Sequence, residues 1–541
     1  MPVAYLLLFY FYPLLSILAL SLFPAGRLDW VSLGRLVGSA YYLETLWFTT
    51  WQATLSTLLV VLLGLPGAYI FARYRFPGKK VLQALFTVPF VLPTVVVAMA
   101  LLALLGPRGW LNLALMRILA LERPPLDIQG TLAAILLAHV FYNVVLVVRM
   151  VGAQWANMDV RLVEAARTMG ASRWQAFWQV TLPLLRPSLG SAALLVFIFC
   201  FTSFGVVLIL GGGHYATLEV EIFYRTTYRP NLPLAATLAI VQIALTFGLM
   251  WLYARVQAQA GAPQELRPRH MTQIRPRRGR DWGLLAASLL PLLILLLLPL
   301  AALLERSLRV GAGGLANYQA LFSNPRGSIF YVPPIAAVRN SLLFALAAMV
   351  LAVFLGLLVS LSIAGGPKSR SRLGRLLDPL IMLPLGTSAV TLGLGYTVAL
   401  DEPPLNLRTS PLLVILAHTL VALPFVVRAM LPALRSIRPS LREAAATLGA
   451  SPWHVWREVD LPIVGRAMAV GAVFAFTISM GEFGATALIY RPDLPTMPVA
   501  IYRLMSRAGI ANYGQALAMS ALLMAACVAG FLLIEQFRGE F

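Results

Sequence analysis

The residues in this chain best equipped for specific chemistry occur as a repeated pair. The segment EAARTMGASRWQAFWQVTLP, Glu164 to Pro183, recurs as EAAATLGASPWHVWREVDLP, Glu443 to Pro462, with 11 of 20 positions identical at an offset of 279. The chemistry these residues suit is that of a contact surface. Small side chains at Ala165 and Ala166, and at Ala444 and Ala445, let a helix lie close to a partner. Gly170 and Gly449 permit a turn with positive φ. Glu164 and Glu443 can act near a helix N-terminus or pair with a basic group. Each copy reads as helix, turn, helix, ending at Leu-Pro.

A second candidate is Glu482, a carboxylate inside an apolar run, where an ionisable side chain is expensive and function is a fair default. With Phe483 and its repeat partner Phe204 it offers a negative charge and ring faces to a passing cation. The competing reading places Glu482 near a helix end, paired with an arginine. His139 and His418 share the same offset, and two histidines make a poor metal site, so a helix-to-helix hydrogen bond is expected of each. Cys200 and Cys527 lie in apolar runs without metal-ligand spacing and read as small buried hydrophobes. The Gly211 to Gly213 run reads as a turn at a pore mouth. No phosphate-binding loop is present: Gly78-Lys79 follows RYRFP and lacks the first glycine. The chain therefore holds no nucleotide site of its own, and no metal, cofactor or catalytic residue is expected.

The elements that must position these residues are membrane spans. Of 541 residues 60% are hydrophobic and 12% charged, with a mean hydropathy of +0.81. The net charge of +21 comes from short basic clusters between apolar runs, which fits lipid headgroups and excludes a nucleic-acid-binding domain. Since a bilayer core takes about 20 apolar residues per helix, twelve spans are expected. They are 3–23, 46–72, 81–105, 131–151, 184–210 and 234–255, then 282–304, 336–364, 376–400, 411–431, 463–490 and 514–537.

With both termini inside, the clusters Arg73, Arg75, Lys79, Lys80 and Lys368, Arg370, Arg372, Arg375 fall on the cytoplasmic side, as the positive-inside bias demands. The loops 106–130, 211–233, 305–335 and 491–513 then form the outer face. The basic, proline-bearing stretch 258–281 cannot span and divides the chain into a first half, 1–257, and a second half, 282–541. The 279 offset also relates Arg149 to Arg428 and Gly205 to Gly484. An even number of spans per repeat gives both halves one orientation about a pseudo-twofold axis along the membrane normal. The fold class expected is an all-α integral membrane protein of two tandem six-helix repeats.

Both repeated segments carry Glu-Ala-Ala, then Gly six residues after the Glu, then Leu-Pro ending thirteen residues further on. In this the chain resembles the permeases of binding-protein-dependent ABC importers, fused two-half type, with the type I permease fold. The resemblance implies that loops 160–183 and 438–462 dock on two copies of a cytoplasmic ATPase subunit through Glu164, Ala165, Ala166 and Gly170, and Glu443, Ala444, Ala445 and Gly449. It also implies one extracytoplasmic solute-binding protein and a bacterial inner membrane. GlyTrpLeu at Gly109 to Leu111, Gln129 to Asn143 and Cys200 to Tyr224 resemble the thiamine branch of that family, whereas GEFGAT, Gly481 to Thr486, is equally similar to ferric-iron permeases. Thiamine or a thiamine phosphate is the expected cargo and ferric iron the alternative. A secondary transporter would need no pair of docking loops, and a membrane enzyme would need a convergent polar cluster that the sequence lacks.

Overall fold

The computed structural model describes residues 1–23, 34, 38–260, 273–311, 313–323, 332–364, 372–401 and 405–538. Half of the linker, 261–272, and the basic residues Lys368 and Arg370 lie outside them. Apart from two isolated bridges, the regular structure among the described residues is all helical. In the first half the spans are α1 (Pro2–Leu22), α2 (Ala40–Arg73), α3 (Thr94–Leu119), α4 (Leu132–Asn157), α5 (Arg173–Phe201) and α6 (Leu232–Ala258). The second half follows with α7 (Gly279–Arg309), α8 (Pro334–Ala364), a pair bent by 100° that counts as α9 (Leu377–Gly386 with Ala389–Ala399), α10 (Leu412–Ser436), α11 (Pro452–Gly481) and α12 (Ile510–Ile534). That makes eleven helices long enough to cross a membrane, or twelve with the bent pair as one span.

Without a hydrophobic force between helices in lipid, close packing of small residues holds such spans together. Gly64 of α2 faces α4 so closely that an added Cβ would sit 2.8 Å from Val147, and in the second half Gly356 of α8 meets Val426 of α10 at 2.6 Å. The first helix of each half crosses to the other half. On α1, Tyr5 donates to the carbonyl of Leu416 at 2.6 Å, Tyr10 lies 2.7 Å from Thr387 Oγ1, and the Phe9 carbonyl accepts from Tyr396 at 2.9 Å. Reciprocally, Leu285, Leu289, Leu292 and Leu296 of α7 join the buried core built around α3. Each half thus completes the other.

Three expectations change. Span 81–105 breaks at Leu92-Pro93 into Lys79–Val91 and Thr94–Leu105, and span 376–400 bends at Thr387-Ser388. Proline has no N–H for the preceding turn, and hydropathy does not register that loss. The fifth span of each half starts earlier and ends earlier than expected: α5 runs 173–201 and α11 runs 452–481. The Leu-Pro that closes each repeated segment does not interrupt the helix. Pro183 and Pro462 lie inside continuous helices, each just after a π turn, Phe177–Thr181 and Trp456–Asp460, which takes up the mismatch. Finally, 211–233 and 491–513 are not simple surface loops. They fold into helices Leu218–Thr227 and Met497–Met505, whose first turns are buried.

Candidate translocation gate and coupling loops

The two coupling segments fold alike. Val160–Thr168 and Pro439–Thr447 are short helices, each ended by a glycine with positive φ, 93° at Gly170 and 84° at Gly449. Nothing lies within 4 Å of a Cβ added at either glycine, so the conformation, not crowding, sets the need for glycine. Ser172 and Ser451 then cap the next helix through the amides of Gln175 and His454. Glu164, Ala165, Glu443 and Ala444 are exposed, whereas Ala166 is buried and Ala445 half-buried. Around them stands a repeated set of exposed apolar side chains: Leu162 with Leu441, Met169 with Leu448 (83% and 88% exposed), and Trp174 with Trp453. Exposed apolar sets of this kind are found at protein or membrane contact surfaces. One feature is not repeated. Arg442 Nε donates to Asp460 Oδ1 at 2.8 Å, tying the second short helix to α11, while the corresponding first-half residues are Val163 and Thr181.

At the centre of the molecule the breaks after α5 and α11 bring Phe204 and Phe483 together. Their rings stack at 5.4 Å, 26° apart, both buried. The contact forms because the following residues are glycines: a Cβ on Gly205 would meet Thr94 Oγ1 at 2.4 Å, and one on Gly484 would meet Ala389 at 2.8 Å. Phe223 packs edge-on to Phe204 at 5.2 Å, and Tyr502 lies 5.7 Å from Phe483. Above this ring cluster opens a cavity of about 220 Å³, lined by Phe223, Tyr228, Phe483, Tyr490 and Tyr502, with Arg503 and Arg507. A ring stack at the join of two halves has the form of a gate.

Glu482 sits beside Phe483 but faces its own half. Its carboxylate accepts from the amides of Ala485 at 2.8 Å and Thr486 at 3.0 Å and from the Thr486 hydroxyl, and lies 3.4 Å from His418 Nε2. Its partner is a histidine rather than the arginine considered from sequence, and the carboxylate is fully used in holding the turn after α11. His418 also reaches Ser479 at 2.6 Å and Thr486 at 2.8 Å, and His139 bridges Ser56 at 2.8 Å and Ser203 at 2.9 Å. Both histidines thus anchor the breaks from α10 and α4. Two further buried carboxylates escaped the sequence reading, Glu219 and Glu221. Their segment read as a loop because it is too short and too polar to register as a span, whereas all six residues from Leu218 to Phe223 are buried in the fold.

A protein-family model described as binding-protein-dependent transport system inner membrane component matches twice, over residues 61–261 and 352–538. The chain belongs to this family. Among curated relatives, the thiamine transport system permease protein ThiP of Escherichia coli (strain K12) is 30% identical over 528 residues, 95% of this chain and 91% of that protein. ThiP of Brucella abortus (strain 2308) is 29% identical over 494 residues, 90% of this chain and 86% of its own. A probable ABC transporter permease protein, y4fN of Sinorhizobium fredii (strain NBRC 101917 / NGR234), is 27% identical over 549 residues, 98% and 94%. As a member of a binding-protein-dependent transport family, the chain is a multi-pass ABC importer permease, the transport component rather than an enzyme. Both family matches span one of the repeated segments and one of the stacked phenylalanines.

Proposed function

We propose that this permease carries thiamine across a bacterial inner membrane. The observation that carries the reading is similarity to thiamine transport permeases along nine-tenths or more of the chain, through both gate halves. The cavity over the gate supports it. Five aromatic rings around about 220 Å³ offer faces to a flat heteroaromatic cargo, and the lining, with Arg503 and Arg507 as its charged members, lacks the carboxylate or imidazole ligands that a bare metal ion asks for.

Energy comes from ATP hydrolysed on a separate subunit. Two copies of that ATPase dock on loops 160–183 and 438–462, with Glu164, Ala165, Ala166 and Gly170 on one side and Glu443, Ala444, Ala445 and Gly449 on the other. The repeated exposed set around Met169 and Leu448 supports two like docking sites. One solute-binding protein delivers the cargo outside. When the ATPases close, the coupling loops move with them, the halves rock, and the stacked rings of Phe204 and Phe483 part.

The halves are 1–257 and 282–541, joined by the basic stretch 258–281, with both termini in the cytoplasm. Pairing of Ile274 with Arg73 and Arg75 through amide bonds of 2.9 Å supports placing the linker's end and the loop after α2 on one side. The test is ATP-driven uptake of labelled thiamine, with ferric iron in parallel, into proteoliposomes holding this chain, its ATPase and its binding protein. Thiamine accumulation is expected; iron uptake without thiamine uptake would reassign the cargo.

A further inference from the structure

Of the buried carboxylates near the gate, two have cationic or ionisable partners: Glu482 faces His418, and Glu221 accepts from Arg225 at 2.7 Å. Glu219 has neither. It is fully buried on the helix Leu218–Thr227, and its two oxygens accept from Gln242 Nε2 of α6 and from Ser388 Oγ, both neutral. Among the described residues no cation pairs with it. A carboxyl buried this deeply with only neutral partners is held uncharged by desolvation while the join is shut, and it can ionise once the join opens to water. An uncompensated charge in such a place is costly, and costly intramembrane charges mark ion or substrate pathways.

Its position fits that role. Ser388 belongs to the second half, where it caps Ala389–Ala399 at the 100° bend of α9. Glu219 therefore lies on the join that must open. It is also four residues, one helical turn or about 6 Å, before Phe223, which lines both the cavity and the gate. Close by in sequence to these partners are buried polar atoms with no hydrogen-bond partner, Gln242 Oε1 and Thr391 Oγ1. Acceptors left unsatisfied in the closed state are acceptors a passing ligand can use. The repeat does not reproduce this charge: 279 residues on from Glu219 stands Pro498. The site is single and lies to one side of the pseudo-twofold axis, as a binding site for one asymmetric molecule requires.

We infer that Glu219 is the anionic contact for the cargo's positive ring once the Phe204–Phe483 stack opens, with Phe223 supplying a ring face. The charge of Glu482 is spent within its own turn. This rests on the thiamine reading and adds the residue that recognises its charge.

The experiment compares wild type and Glu219→Gln in the complete importer in proteoliposomes, with thiamine and with 3-deazathiamine, an isostere whose ring is neutral. The binding protein's own preference is common to both and cancels. E219Q is expected to lower thiamine uptake efficiency at least about tenfold, near 1.4 kcal/mol, and to leave 3-deazathiamine within about twofold. Equal losses for both cargoes, as a packing role would give, overturn the inference, and so does an unchanged ratio. If wild type carries no thiamine, the functional reading itself fails, a result distinct from either. Assembly is read from ATP hydrolysis stimulated by the loaded binding protein. If E219Q does not assemble, Glu219→Asp, which keeps the charge but withdraws it by one methylene, is expected to raise the KM for thiamine alone by about threefold or more, and equal shifts for both cargoes overturn the inference.

Discussion

At the residue scale the proposed gate is two phenylalanines at breaks followed by glycines, and its closure is a ring stack worth about 0.5–1.5 kcal/mol beyond the area it buries. A contact of that size is strong enough to seal and weak enough for ATP-driven rocking to open. Phe204→Ala and Phe483→Ala are each expected to let thiamine cross proteoliposomes slowly without ATP, with basal ATP hydrolysis no longer tied to the binding protein. A tight, fully coupled F204A importer would remove the stack as the seal. Glu482 calls for a different outcome. Because its carboxylate holds two amides, a hydroxyl and His418, Glu482→Gln is expected to cost on the order of 1–3 kcal/mol of stability. Thermal unfolding of the purified permease should shift down by several degrees while the KM for thiamine stays put. A raised KM at unchanged melting temperature would instead return Glu482 to the cargo path.

At the element scale the two proposed coupling helices share sequence, caps and positive-φ glycines, yet the second is tied to its span by a pair whose counterparts in the first, Val163 and Thr181, carry no charge: Arg442 to Asp460. That pair is partly exposed, so its stability contribution is small, about 1 kcal/mol at most. Its mechanical effect is the greater, since it makes the short helix and α11 move together. Arg442→Ala is expected to leave ATPase binding nearly intact and to reduce thiamine moved per ATP by several-fold, measured as the uptake-to-hydrolysis ratio. The double variant E164A/E443A is expected to weaken ATPase docking itself, seen by co-purification. Unaltered coupling in both would detach these loops from energy transfer.

The spacing of Glu164, Gly170 and Pro183 made these elements legible in the sequence, as did apolar length for the straight spans. What stayed hidden were the breaks. Leu92-Pro93, Ser203-Phe204 and Thr387-Ser388 sit inside apolar runs whose hydropathy is uniform. Whether a proline or glycine there breaks a helix depends on neighbours far along the chain, such as Thr94 against Gly205. Glu219 stayed hidden for the same reason, because its partners Gln242 and Ser388 come from another span and the other half.

At the scale of the whole molecule, the exchange of first helices decides how the chain must assemble. In a half made alone, residues 282–541 would lack α1, leaving the Leu416 carbonyl and Tyr396 without their partners Tyr5 and Phe9, and residues 1–257 would leave α3 without the leucine face of α7. Polar groups freed within lipid have no water to turn to, and the lost packing has no substitute in lipid tails. Each half expressed separately is therefore expected to insert but to stay protease-sensitive and to aggregate on extraction. Co-expression of 1–257 with 282–541 should instead yield one stable complex that transports thiamine at a rate within a few-fold of the intact chain. The linker contributes effective concentration and, at Ile274, two amide bonds to the loop after α2, a small loss beside the packing between the halves, which makes removing it tolerable. The decisive measurement is size-exclusion chromatography of each half in detergent with limited proteolysis. A half that runs as a monodisperse, protease-resistant monomer would mean that it folds without its counterpart's helix, and that the two halves are docked domains rather than one interlocked unit.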